Sequence, residues 1–216
     1  MTVIEAFLFD LDGTLMDSEV IYVEAVRLSL ADQGCHLNQD QSVALVYGKG
    51  WKDIFLEASG RFPNAYANIE SMGVVVRRHF DELKAERDIR IPGSVNLLRE
   101  LARNHPVAIV SGSLRREIAE AVEYLEISSY LDFYLGADDY FPGKPDPACF
   151  LAAATKLEIS PEKCLVFEDS SAGVLAAKRA GMFCVALRRE GVPEQDLTAA
   201  DAIYGDLSEF TLDDLQ

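Results

Sequence analysis

The sequence predicts an α/β protein, a mostly parallel sheet flanked by helices and interrupted by an all-helical insertion. Three observations carry this expectation. The chain opens on an apolar strand, Val3 to Phe9, which meets no strand-like partner before Gly93. The intervening segment keeps a helical period throughout. From Ile91 onward, short apolar runs alternate with amphipathic helices. Strand, helix and strand repeated in this way require right-handed crossovers, so neighbouring strands run parallel in a Rossmann-like core. The division is expected at residues 1–16 and 88–216 for the core and 17–87 for the inserted helical unit.

Each element has its own warrant. Val3, Ile4, Ala6, Phe7, Leu8 and Phe9 form a nearly continuous apolar run, the mark of a strand covered on both faces. Val20 to Leu30 reads as a helix ending near Gln33-Gly34. Asn38 with Gln41 is an N-cap and capping-box pair, opening a short helix that ends at Tyr47-Gly48. Trp51, Ile54, Phe55 and Ala58 fall on one helical face, closed near Gly60. A longer helix is expected from about Tyr66 to Glu86. Val95, Leu98 and Leu101 mark the next, and Pro106 precedes a strand at Val107–Val110. Leu114, Ile118, Ala121 and Leu125 mark a helix before a strand near Phe133–Leu135. Phe150, Ala153 and Leu157 belong to a helix, followed by the strand Cys164–Phe167. Val174, Ala177 and Ala180 lie on a helix that Gly181 terminates. Val185–Leu187 and Ala202–Tyr204 are the outer strands.

Composition narrows the function. At 216 residues with 49% hydrophobic side chains, the chain can bury a sizeable core. Twenty basic against 36 acidic side chains give a formal charge of −16, which argues against nucleic acid or an anionic membrane as partner. A small anion is not excluded, because the overall field is screened beyond about 8 Å and local cations decide. No apolar run approaches a membrane span. No secretory signal is visible, and Cys35, Cys149, Cys164 and Cys184 lack metal-ligand spacing. A reducing cytoplasm and a monomer are expected, with the last three cysteines packed as small hydrophobes.

In a parallel sheet, ligands gather at the carboxyl ends of the strands. The first strand ends in Asp10-Leu11-Asp12-Gly13-Thr14, the next in Ser111-Gly112-Ser113, and a later one in Glu168-Asp169-Ser170. Gly143-Lys144-Pro145-Asp146-Pro147 precedes a helix on the same edge. Four carboxylates with one lysine would repel one another without a cation, and an all-oxygen set suits Mg²⁺. Asp-Gly is also an ordinary turn signal, but that accounts for Asp12-Gly13 and leaves Asp10 unexplained.

DLDGT, SGS, GKPDP and FEDS, in this order and after strands, resemble the haloacid dehalogenase superfamily, in its group of phosphoglycolate phosphatases and β-phosphoglucomutases. The likeness spans the whole chain and implies that the helical unit is a small cap. It further implies a Mg²⁺-dependent phosphatase of a small phosphorylated metabolite. Asp10 would be the nucleophile and Asp12 the general acid and base. Mg²⁺ would be held by Asp10, Asp12 through its carbonyl, and Asp169, with Glu168 assisting. Thr14, Ser111, Gly112 and Lys144 would bind the phosphoryl group. Lys49, between two glycines in a loop of the cap, would meet a second anionic group of the substrate. Ser113 and Ser170 are balanced between site and capping roles.

The alternative on the same scaffold is a sugar phosphomutase. The mutases that this chain resembles place a histidine where Tyr22 stands and an arginine where Trp51 stands, which disfavours that activity. A dehalogenase would lack the second acid at Asp12. A signalling receiver domain would lack the helical insertion.

Overall fold

The structure, a computed structural model, describes residues 3–212. It divides into two compact units, Met1–Met16 with Arg90–Gln216, and Asp17–Ile89. The first carries a six-stranded sheet of β1 (Ala6–Phe9), β2 (Val107–Val110), β3 (Phe133–Leu135), β4 (Cys164–Glu168), β5 (Phe183–Leu187) and β6 (Ala202–Tyr204). Every pairing is parallel, in the order β3-β2-β1-β4-β5-β6. The order runs one way from β1 to β3 and the other way from β4 to β6. The reversal lies between β1 and β4, where such sheets open a crevice for ligands.

Alternation along β1 separates two apolar layers. Ala6 and Leu8 join a cluster with Val110, Phe150, Val166 and Val174. Phe7 and Phe9 build an aromatic layer, with Phe9 stacked on Phe167 at 4.5 Å between ring centres and Phe210 edge-on to Phe167 at 5.2 Å. The crossovers from β1 as far as β5 are helical, through α5 (Pro92–Leu101), α6 (Arg115–Leu125), α7 (Ala148–Leu157) and α8 (Ser171–Arg179), whereas β5 reaches β6 through an irregular segment. Val95, Leu98 and Leu101 of α5 are buried, as are Ile118, Ala121 and Leu125 of α6. Truncating a core aromatic such as Phe9 to alanine costs about 3–5 kcal/mol in proteins generally.

The second unit comprises α1 (Ser18–Ala31), α2 (Gln39–Val46), α3 (Trp51–Arg61) and α4 (Ile69–Glu86). Helix α1 packs along α4, with Tyr22 against Phe80 at 4.4 Å between ring centres. The Asn38–Gln41 capping box opens α2, and a second box, Asn68–Ser71, starts α4 at Ile69 rather than near Tyr66. The hydroxyls of Tyr66 and Ser29 meet at 2.5 Å in the interior. Asp32, at the end of α1, receives Arg78 at 2.6 Å and lies 2.8 Å from His79 Nε2. Among the described residues no helix is long and apolar enough to cross a membrane. All four cysteines are free thiols, three of them buried.

Candidate active site

The β1 backbone delivers the first acid. The Asp10 N–H donates to Phe167 O at 2.9 Å, so the β1–β4 ladder continues to the residue where the apolar run ends. Asp10 is itself buried, with 6% of its surface exposed. The chain then turns tightly, with the Gly13 N–H donating to Met16 O at 2.7 Å. Gly13 has φ +90°, and a Cβ there would lie 2.1 Å from Asp169 Oδ2. Only glycine allows both that backbone and that approach.

Lys144 ties three strand ends together. Its ammonium donates to Asp10 Oδ1 at 2.5 Å, to Glu168 Oε1 at 2.6 Å and to Val110 O at 3.1 Å. Burial alone favours the neutral amine, but the charges of Asp10 and Glu168 outweigh it and hold the ammonium well above the ordinary lysine range. Burial also pushes the Asp10 carboxyl up, with Lys144 opposing and Glu168 and Asp12 adding to the rise. One ammonium therefore under-compensates this acidic group.

Glu168 is fully buried and well supplied with donors. Its Oε2 accepts the N–H groups of Asp169 and Ser170 and the Ser170 hydroxyl, each at 2.9 Å. It lies against the first turn of α8, where a Cβ on Gly173 would stand 1.7 Å from Oε1. Ser170 also caps α8 by accepting from the Gly173 N–H. One hydroxyl thus caps α8 and donates to Glu168.

Asp10, Glu168 and Asp169 bring carboxylate oxygens within 4.8 Å of one another. Three buried carboxylates with a single lysine form a hard, all-oxygen donor set that fits Mg²⁺. The Thr14 hydroxyl donates to Asp169 Oδ1 at 3.1 Å. A hydroxyl has one proton, so in this geometry Thr14 positions a carboxylate rather than offering a donor to phosphate.

On the β2 side, Ser111 and Ser113 both donate to Asp12 Oδ2, at 3.2 and 2.6 Å. Gly112 lies exposed between them. The Tyr140 hydroxyl donates to Ser111 O at 2.7 Å, and Arg189 donates to Gly13 O at 2.9 Å. The structure thus gathers Asp10, Asp12, Thr14, Ser111, Lys144, Glu168 and Asp169 at the ends of β1, β2 and β4. Lys49 belongs to the helical unit, where it donates to Glu57 at 2.5 Å and to Ala44 O at 2.6 Å. Asp146 accepts the Ala148 N–H at 3.0 Å in the turn that leads into α7, a structural role. Tyr140 and Arg189 carry no local signal in the sequence, since each reaches the site from a separate loop. Ser113 had one, its S-x-S spacing.

Proteins of known name and solved structures resemble this chain along most of its length. The validoxylamine A 7'-phosphate phosphatase of Streptomyces hygroscopicus subsp. limoneus is 32% identical, over 94% of this chain and 93% of its own. The phosphorylated carbohydrates phosphatase of Thermotoga maritima is 32% identical over 82% of each chain. Among solved structures, the β-phosphoglucomutase of Clostridium difficile matches with a TM-score of 0.77 at 26% identity, over 99% of this chain and 96% of its own. The family model described as haloacid dehalogenase-like hydrolase matches residues 4–181. By that match the chain belongs to the haloacid dehalogenase-like hydrolases.

Proposed function

We propose that this protein is a Mg²⁺-dependent phosphatase of small phosphorylated carbohydrates, acting through a phosphoryl group carried on Asp10. The observation that carries the reading is the pairing at one strand end of a lysine-held buried acid, Asp10, with a second acid, Asp12, held by two hydroxyls. A relative named as a phosphorylated carbohydrates phosphatase supports the substrate class. Asp10, the Asp12 carbonyl and Asp169, assisted by Glu168, would hold Mg²⁺. When bound, that ion would offset the charge repulsion between carboxylate and phosphate, about 4 kcal/mol for unit charges 4 Å apart at an effective dielectric of 20.

The chain's own residues account for the remaining steps. Asp10 attacks phosphorus, and the bond from phosphorus to the leaving oxygen breaks as Asp12 gives that oxygen a proton. Asp12 then takes a proton from water, whose oxygen bonds to phosphorus as the acyl-phosphate bond to Asp10 breaks and phosphate departs. Ser111, the Gly112 backbone and Lys144 orient the phosphoryl oxygens, with Thr14 acting through its backbone. Lys49 is proposed to meet a second anionic group on the substrate. If so, Lys49→Ala raises KM for such a substrate more than for p-nitrophenyl phosphate.

The test is phosphate release from p-nitrophenyl phosphate and a panel of sugar phosphates, with and without Mg²⁺. No Mg²⁺-dependent release from any of them would refute the reading. The likeness in fold to a β-phosphoglucomutase raises a second reading, an isomerase. Tyr22 weighs against it, because its ring packs on Phe80 and a phenol does not exchange protons near neutral pH as an imidazole does. β-Glucose 1-phosphate with a trace of the bisphosphate is expected to yield free phosphate. Glucose 6-phosphate appearing faster than phosphate would reverse that choice.

A further inference from the structure

Asp12 Oδ2 accepts two hydroxyls, and the two are not equivalent. The Ser111 hydroxyl accepts the Ser113 N–H at 3.0 Å and sends its single proton to Asp12 at 3.2 Å. The Ser113 hydroxyl makes the shorter contact, 2.6 Å. If Ser111 binds a phosphoryl oxygen, its proton must turn away from Asp12, since a hydroxyl donates once. The Ser113 hydroxyl directs its proton to Asp12.

The surroundings of Ser113 hold it in place. Its carbonyl accepts the Ala137 N–H at 2.9 Å, its own N–H is tied to Ser111, and Tyr140 holds the Ser111 carbonyl. The loop after β3 comes this close because Gly136 has no side chain. A Cβ there would stand 2.8 Å from Ser113 O and 2.6 Å from the Arg115 nitrogen.

We propose that Ser113 is a positioning residue for the catalytic acid: it keeps the Asp12 carboxyl oriented while Ser111 transfers its hydrogen bond to the substrate phosphoryl group. The inference rests on the reading of Asp12 as general acid and base. It makes the contribution of Ser113 depend on how much the leaving oxygen needs a proton. Phenyl phosphate and p-nitrophenyl phosphate differ little in size, but phenolate, with a conjugate acid near pKa 10, needs the proton far more than p-nitrophenolate.

The experiment compares kcat/KM for both esters in wild type, Ser113→Ala, Ser113→Thr and Asp12→Asn. A misplaced catalytic group costs up to about 100-fold, so Ser113→Ala should lose at least roughly 30-fold on phenyl phosphate and under about 3-fold on p-nitrophenyl phosphate. Ser113→Thr should recover most of the loss, because it keeps the hydroxyl. Equal losses on both esters, or none on phenyl phosphate, would overturn the positioning role. Asp12→Asn reports separately on the reading beneath it. A leaving-group split in Asp12→Asn without one in Ser113→Ala sinks only the present proposal. Equal losses in Asp12→Asn sink the acid–base reading and this proposal with it.

Discussion

At the scale of single residues, Asp10 separates chemistry from folding. Asp10→Asn keeps the shape of the side chain and can still accept the Lys144 ammonium through its amide oxygen, but it removes the attacking charge. Turnover is expected to fall by at least about four orders of magnitude, as for loss of a nucleophile elsewhere, with an unchanged circular dichroism spectrum. Activity near wild type, or loss of the folded spectrum, would count against the nucleophile assignment. The strand-end acids could be located from sequence because an apolar run that stops at a carboxylate is a one-dimensional pattern. Which oxygen each hydroxyl serves could not be read that way. Thr14 shows the limit: its hydroxyl points to Asp169, across 155 positions of sequence. Arg189 reaches Gly13 over 176 positions, and nothing in the loop around it announces the contact.

At the scale of elements, the contact between the end of α1 and α4 is open to test by pH. The carboxyl of Asp32 is held below the usual range, first by its hydrogen bond from His79, with burial opposing, and then by the charges of His79 and Arg78 and a hydrogen bond from Arg78. A depressed carboxyl contributes stability that is complete above its unfolded value, near 4, and fades as the pH falls below it. Asp32→Asn should therefore melt at a lower temperature than wild type at pH 7, and the gap should close below about pH 4. A gap independent of pH would remove the electrostatic account. Element boundaries also show what a sequence conveys. The Asn38–Gln41 box was legible because glutamine three residues after asparagine is a strong starting signal. The Asn68–Ser71 box uses serine in the glutamine's place, so that helix was expected to start near Tyr66. The first strand was expected from Val3, yet its ladder begins at Ala6, opposite Cys164. An apolar run does not reveal where its neighbour begins.

For the whole molecule, the strongest test is the metal. EDTA should abolish phosphate release and Mg²⁺ should restore it, whereas Ca²⁺ should bind without supporting turnover. Ca²⁺ takes a larger and looser shell of oxygens at longer distances, which would misplace Asp10 relative to phosphorus. Full activity in Ca²⁺ alone would refute the geometric argument. The alternation of elements made the parallel sheet legible, because short apolar runs and a 3.6-residue period follow one another in a fixed rhythm. The reversal of strand order between β1 and β4 was not, because no residue pattern records which neighbour a strand takes.

The central place of β1 bears on how the protein is made. Its neighbours are β2, first reached at Val107, and β4, complete only at Glu168. The helical unit is continuous in sequence, Asp17–Ile89, so on the ribosome all its partners emerge together while β1 still waits. Chains grow from the amino terminus at about 5–20 residues per second, so four apolar residues meant for full burial spend several seconds unpaired in the nascent polypeptide. Nascent chains halted after Lys163 should therefore show a protease-resistant helical unit and a cleavable first strand. Protection of that strand should come only when the halt is moved far enough downstream for β4 to clear the exit tunnel. Protection of β1 at the earlier halt would mean that β2 alone suffices to secure it.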